Sequence, residues 1–186
     1  MDYCFYLKKV HQLEPQLIED LYTHVSSTPL DITKSYFTKR HPGLDSITVP
    51  LYTNAAKNNP AVNQLLDLLT PVIPRGQALS YAINRLDPDG MVLEHTDAIT
   101  GLRNRGHVVS TQHMIHVSVR NGGMYGHRRD KSIPYVWQPM DQGGCYLYNN
   151  YVWHMVKNTS KQVRWTIIVY FDDPQWDHKS AIYDRY

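Results

Sequence analysis

The feature that most constrains this chain is a change of rhythm after Pro74. From there to residue 174 the sequence runs in short segments rich in Val, Ile, Tyr and Trp, broken by Asp87-Pro88-Asp89-Gly90, Asn121-Gly122-Gly123, Gln142-Gly143-Gly144 and Asn158-Thr159-Ser160. β-Branched and aromatic runs bounded by turn-forming clusters are the mark of strands. The pattern predicts strands near 77–86, 91–97, 108–120, 144–149, 153–157 and 163–171. Ahead of them the period is helical. Leu17, Ile18, Leu21 and Val25 follow Pro15 at one-face spacing, so 15–26 reads as an amphipathic helix ended by Thr28-Pro29. Asn59 as cap, Pro60 at the first position, and Val62, Leu65, Leu66 and Leu69 on one face give a second helix, stopped before Pro71. The polar stretch between the helices reads as loop. Helices first and antiparallel strands second predict an α+β domain whose helices cover one face of a β-sandwich or jelly roll.

A chain of 186 residues, 42% hydrophobic and 19% charged, can bury one core. We read a single domain, with helical support over 1–74, a β-core over 75–174 and a tail over 175–186. The net charge of +2 sets up no strong field toward nucleic acid or anionic membrane, so the expected partner is a small molecule or peptide, and the oligomeric state stays open. Cys4 and Cys145 make no C-x-x-C pair, and Met1 to Val10 is too short and too charged for a signal peptide, which predicts a cytoplasmic protein.

Chemistry concentrates in the β-core, where six of the ten histidines lie from His95 to His154. His95-Thr96-Asp97 ends a strand-like run, and side-chain alternation sends His95 and Asp97 to one face. An imidazole and a carboxylate so placed can take two adjacent corners of a metal. A second His from another strand completes the two-His, one-carboxylate facial triad of Fe(II) sites, and His154 in Val152-Trp153-His154-Met155-Val156 is the candidate. Ten residues on comes Arg164. Folding the two strands about Thr159 predicts His154 and Arg164 side by side on one sheet face. Val163, Trp165, Ile167, Val169 and Phe171 occupy the opposite face of the last strand, so Arg164 points into whatever the sheet encloses and needs an anion there. A dicarboxylate bridging the metal and Arg164 would satisfy both. By the same alternation Met114, His116, Ser118 and Arg120 share one face of their strand, which makes His116 and Ser118 candidate partners for that carboxylate.

With these residues assembled, residues 78–174 resemble the aspartyl/asparaginyl β-hydroxylase family of Fe(II)- and 2-oxoglutarate-dependent oxygenases, which includes free-amino-acid hydroxylases. The run Gly143-Gly144-Cys145-Tyr146-Leu147-Tyr148 is similar to the family's glycine-led strand ahead of the distal histidine. The resemblance implies a double-stranded β-helix, His95, Asp97 and His154 as iron ligands, Arg164 on the distal carboxylate of 2-oxoglutarate, and His116 assisting it. It also implies O2 as co-substrate and hydroxylation of an aliphatic C–H in an amino acid or an Asp-, Asn- or Pro-type residue. Two features depart from the pattern: the segment between Asp97 and His116 is longer, and Met114 stands where a basic residue is expected.

Two rival readings remain open on the residues alone. One is a non-catalytic metal- or sugar-binding β-barrel; the other is a cupin-type metalloenzyme that recruits His107, His113 or His116. The basic loop Gly101-Leu102-Arg103-Asn104-Arg105-Gly106-His107 follows the first two ligands and reads as a lid, with Arg103, Arg105 or His107 gripping an anionic group of the substrate.

Overall fold

The computed structural model describes residues 7–30, 40–51, 58–72, 77–96, 112–148 and 152–172. Both expected helices are there, α1 over Pro15–Ser27 and α2 over Pro60–Leu69, and the Asn59 side chain caps α2 by accepting the Val62 N–H at 3.0 Å. Ten strands are described: β1 Leu7–Gln12, β2 Leu44–Pro50, β3 Gln77–Leu86, β4 Met91–His95, β5 Gln112–Arg120, β6 Gly123–Arg128, β7 Val136–Met140, β8 Gly144–Tyr148, β9 Trp153–Lys157 and β10 Arg164–Asp172. They form a six-stranded sheet in the order β1-β8-β5-β10-β3-β2 and a four-stranded sheet in the order β4-β9-β6-β7, and the recorded pairings are antiparallel.

From β3 onward the chain passes repeatedly from one sheet to the other. The central strands β8-β5-β10-β3 of the larger sheet face β4-β9-β6-β7 of the smaller, which is the eight-stranded jelly roll, or double-stranded β-helix. The helices pack on the outer face of the larger sheet, where Leu21, Val25, Leu65 and Leu69 meet Ile115, Val117, Val119, Ile167, Val169 and Phe171 in one dry cluster. Because helices seal that face, the opposite face of the same strands is left to line the space between the sheets. None of the described helices is long and apolar enough to cross a membrane.

Four strands escaped the sequence reading, and each for a physical reason. β1, Leu-Lys-Lys-Val-His-Gln, sits at the edge of the larger sheet, where charged side chains guard an open ladder. β2 falls in the stretch read as polar loop. Its Ile47 and Val49 pack on the helical core, while Leu44, Ser46 and Thr48 line the cavity, so one of its faces is polar by design of the interior. The first 74 residues are thus not helical support alone but lend two strands to the larger sheet. β6 carries two glycines and hid in a turn signal. β7 contains Pro139, which an edge strand tolerates. The tail over 175–186 lies outside the described residues.

Candidate active site

Position in the cavity is decided first by a bulge in β4. Val92 pairs with Val156, and His95 pairs with His154, so Leu93 and Glu94 together oppose one residue of β9. Strict alternation from Val92 would turn His95 outward; the extra residue turns it inward beside His154. Glu94 is correspondingly sent to the outer face. There Arg128 Nε donates to its carboxylate at 2.6 Å and Tyr135 donates a second hydrogen bond. Burial pushes the Glu94 carboxyl up, but these two bonds and the Arg128 charge outweigh it and hold the group below the usual carboxylate range.

The ring centroids of His95 and His154 are 4.3 Å apart. Each ring is oriented the same way: His95 Nδ1 lies 2.7 Å from the Leu93 carbonyl, and His154 Nδ1 lies 3.0 Å from the Val152 carbonyl. A carbonyl only accepts, so both Nδ1 atoms carry a proton, and in the neutral ring the lone pair is then on Nε2. That is the tautomer a metal-binding imidazole requires. Tyr125 stacks on the His154 ring at 5.7 Å and Tyr148 meets it edge-on at 5.6 Å, which holds the buried ring in place.

Across the cavity stands Arg164, 2% exposed. Its Nη2 donates to Ser118 Oγ at 3.3 Å and to His116 Nε2 at 3.4 Å, while its buried Nε has no partner. Among the described residues no carboxylate pairs with it. Burial alone pulls its pKa down to about 10. A buried guanidinium is costly unless an anion meets it. Gly123 makes the room: a Cβ there would lie 2.9 Å from Arg164 Nε and 2.6 Å from the Lys157 carbonyl. Gly123→Ala should therefore destabilise the fold by about 1–3 kcal/mol, seen as a lower melting temperature, because the backbone carbonyl cannot move aside. An unchanged melting temperature would show that both the Lys157 carbonyl and the guanidinium give way.

Between these two ends lies a cavity of about 250 Å³. One wall is a polar row, Ser46, Asn84 and Thr166, directly opposed across β2, β3 and β10 and continued on β5 by the buried Ser118. The other, from the smaller sheet, is apolar and aromatic, with Val92, Val156 and Tyr125, while Tyr148 and Ile168 flank the polar row on the larger sheet.

His95, His154, His116, Ser118 and Arg164 are brought together as expected. The expected His154–Arg164 hairpin is not: β9 and β10 belong to different sheets, and the two side chains line opposite walls of the cavity. Asn158 is the reason. Its Nδ2 donates to the carbonyls of Leu86, Asp87 and Gln162 at 3.1, 2.9 and 2.7 Å, tying this corner to the β3–β4 corner and carrying the chain between sheets. Arg120 also leaves the expected face; a bulge opposite Trp165 turns it to Glu19 and over the Tyr22 ring. Met114, where a basic residue was expected, is buried and accepts the Tyr148 hydroxyl at 2.8 Å. Asp97, Arg103, Arg105 and His107 lie outside the described residues, as does the side chain of His113. Among the described residues no group of three His, Cys, Asp or Glu side chains could hold a metal, so His116 does not join His95 and His154. Asn84, Thr166, Tyr125 and Gly123 were missed; for Asn84 and Thr166 the available signal was a polar residue inside an otherwise apolar strand.

No family model and no curated protein matches the sequence. Solved structures do. A prolyl-4-hydroxylase from Pseudomonas putida superimposes with a TM-score of 0.62 at 11% identity over 91% of this chain and 93% of its own. HygX from Streptomyces hygroscopicus, solved with nickel and 2-oxoglutarate bound, gives 0.63 at 11% identity over 92% and 84%. SnoK, a non-heme α-ketoglutarate-dependent carbocyclase from nogalamycin biosynthesis, gives 0.60 at 15% identity over 90% and 82%. This chain shares their fold. At such identity the shared jelly roll is a statement about architecture, and the chemistry has to be argued from the cavity itself.

Proposed function

We propose that this protein is an Fe(II)- and 2-oxoglutarate-dependent oxygenase that hydroxylates an aliphatic C–H of an amino acid or of an Asp-, Asn- or Pro-type residue. The observation that carries this reading is the buried Arg164, unmatched by any described carboxylate and set across a small cavity from two imidazoles in the metal-binding tautomer. A dicarboxylate would complete that arrangement, with Arg164 holding one of its ends. In this reading His95, His154 and Asp97 would hold Fe(II) as a two-His, one-carboxylate set. The same cofactors are supported by HygX, whose structure holds nickel and 2-oxoglutarate in the shared fold. Kinship with the aspartyl/asparaginyl β-hydroxylases, and a cytoplasmic setting, rest on the sequence alone.

When bound, the iron supplies the activation of O2 by which 2-oxoglutarate is converted to succinate and CO2 while one oxygen atom enters the substrate. The chain's own residues do the rest. Arg164 binds and orients the distal carboxylate, and Ser118 and His116, which accept from Nη2, aim its remaining donors. Tyr125 and Tyr148 fix the His154 ring. Val92 and Val156 on one wall and Ile168 on the other are apolar, which strengthens charge interactions inside. Asn84, whose buried Oδ1 has no partner, offers an acceptor in the same cavity.

Mixing the protein with Fe(II) and 2-oxoglutarate without oxygen is expected to give the weak visible charge-transfer band of the chelate. With oxygen, succinate formation across free amino acids and short peptides then identifies the substrate. Absence of both the band and 2-oxoglutarate binding would overturn the reading in favour of a non-catalytic barrel.

A further inference from the structure

His41 lies well before the β-core and outside residues 78–174, which carry the resemblance read from the sequence, yet it is 4% exposed and its ring centroid is 5.2 Å from that of His95. It belongs to a His41-Pro42-Gly43 turn. The His41 carbonyl accepts the Leu44 N–H at 3.1 Å, Gly43 takes a positive φ of 76°, and the Gly43 carbonyl accepts the Asp87 N–H at 2.8 Å. A Cβ on Gly43 would lie 3.2 Å from Asp87 Cβ, so the turn sits tightly on the corner that leads into β4.

From there the imidazole reaches the bulge. Leu93 is one of the two residues that oppose a single residue of β9, and its N–H donates to His41 Nδ1 at 2.9 Å. The carbonyl of the same Leu93 takes the His95 Nδ1 proton at 2.7 Å. The chain of contacts therefore runs from His41 through the backbone of Leu93 to His95, holding the peptide planes on both sides of Leu93. A bulged residue otherwise left outside the ladder is given a fixed partner, and through it the ligand ring is given its direction.

We propose that His41 is a positioning residue for the metal centre: it accepts the Leu93 N–H, sets the β4 bulge and thereby aims His95 at the metal. The geometry also says what His41 is not. Its Nδ1 lone pair is committed to Leu93, so the neutral ring carries its proton on Nε2 and cannot ligate through that atom while the bond stands. The inference rests on the reading of His95 and His154 as metal ligands, and the test separates the two.

The probe is Co(II), titrated into the full chain and followed by its visible absorption, with Leu93 amide exchange measured alongside. Asn places its Oδ1 where His places Nδ1, whereas Gln places its oxygen near the Nε2 position. His41→Asn should keep both the Co(II) affinity and the slow Leu93 exchange. His41→Gln and His41→Leu should weaken Co(II) binding by roughly 10–100-fold, the range for residues behind metal ligands, and speed Leu93 exchange. If His41→Leu does not fold, the Asn and Gln pair decides alone. Equal affinity in Asn and Gln variants would overturn the inference while leaving the ligands in place. Co(II) binding that survives His95→Ala and His154→Ala would overturn the metal reading, and the inference with it.

Discussion

Arg164→Met is expected to raise the apparent KM for 2-oxoglutarate by roughly 30-fold to a few thousand-fold, the equivalent of about 2–5 kcal/mol for a buried charge contact, with little change in the KM of the prime substrate. The same substitution should leave the ligand-free protein at least as stable as wild type. The two expectations follow from one observation: in the ligand-free protein the guanidinium is buried among His116, Ser118 and Met140 with Nε unpartnered, and burial pulls its pKa down to about 10. A lowered pKa in a cationic group means that folding disfavours the charge. The folded state is therefore held back wherever the unfolded chain keeps Arg164 protonated and the folded site strains against it, which includes neutral pH. Met fills similar space without that charge. Thermal melts with and without 2-oxoglutarate read both effects, since stabilisation by the co-substrate should vanish in the variant. If the ligand-free variant melts far below wild type while the KM for 2-oxoglutarate holds, Arg164 is a structural residue and the anion site lies elsewhere.

How much of this was legible in the sequence depended on which face of each strand did the specifying. The last strand announced itself because Trp165, Ile167, Val169 and Phe171 pack on helices, and one hydrophobic face fixes register. β2 stayed hidden because its cavity face bears Ser46 and Thr48, which look like loop residues until a second sheet stands opposite. His95 reaches the cavity by a route that the sequence reading does not follow. Simple alternation carried His95 and Asp97 together, but the inward turn of His95 relative to Val92 depends on the bulge at Leu93 and Glu94. A bulge is stabilised by tertiary partners, here His41 on one side and Arg128 with Tyr135 on the other, and none of them is near in sequence. The crossing between β9 and β10 was illegible for a related reason. Asn158-Thr159-Ser160 signals a turn in either case, and only the carbonyls of Leu86 and Asp87 tell a sheet-to-sheet corner from a hairpin.

The second large effect is expected at the paired imidazoles. His154→Ala and His95→Ala should each lower Co(II) affinity by more than ~100-fold, beyond what residues behind the ligands cost, and abolish 2-oxoglutarate turnover. The fold should persist in both. His154 is 3% exposed, but it borders a cavity of about 250 Å³, so loss of the ring enlarges an existing space and removes contacts with Tyr125 and Tyr148 at a cost of about 1–3 kcal/mol. His95 is less buried and loses its bond to the Leu93 carbonyl and its ring contacts with His154 and His41. Because a metal that binds only the folded chain stabilises it by about 2.7 kcal/mol at a hundred times its dissociation constant, Co(II) should raise the wild-type melting temperature and leave both variants unmoved. That contrast is independent of turnover and of any knowledge of the substrate. A Co(II)-dependent shift of wild-type size in both His154→Ala and His95→Ala would mean that the cross-strand pairing of His95 with His154 is packing alone, and that the metal is held by side chains other than this pair.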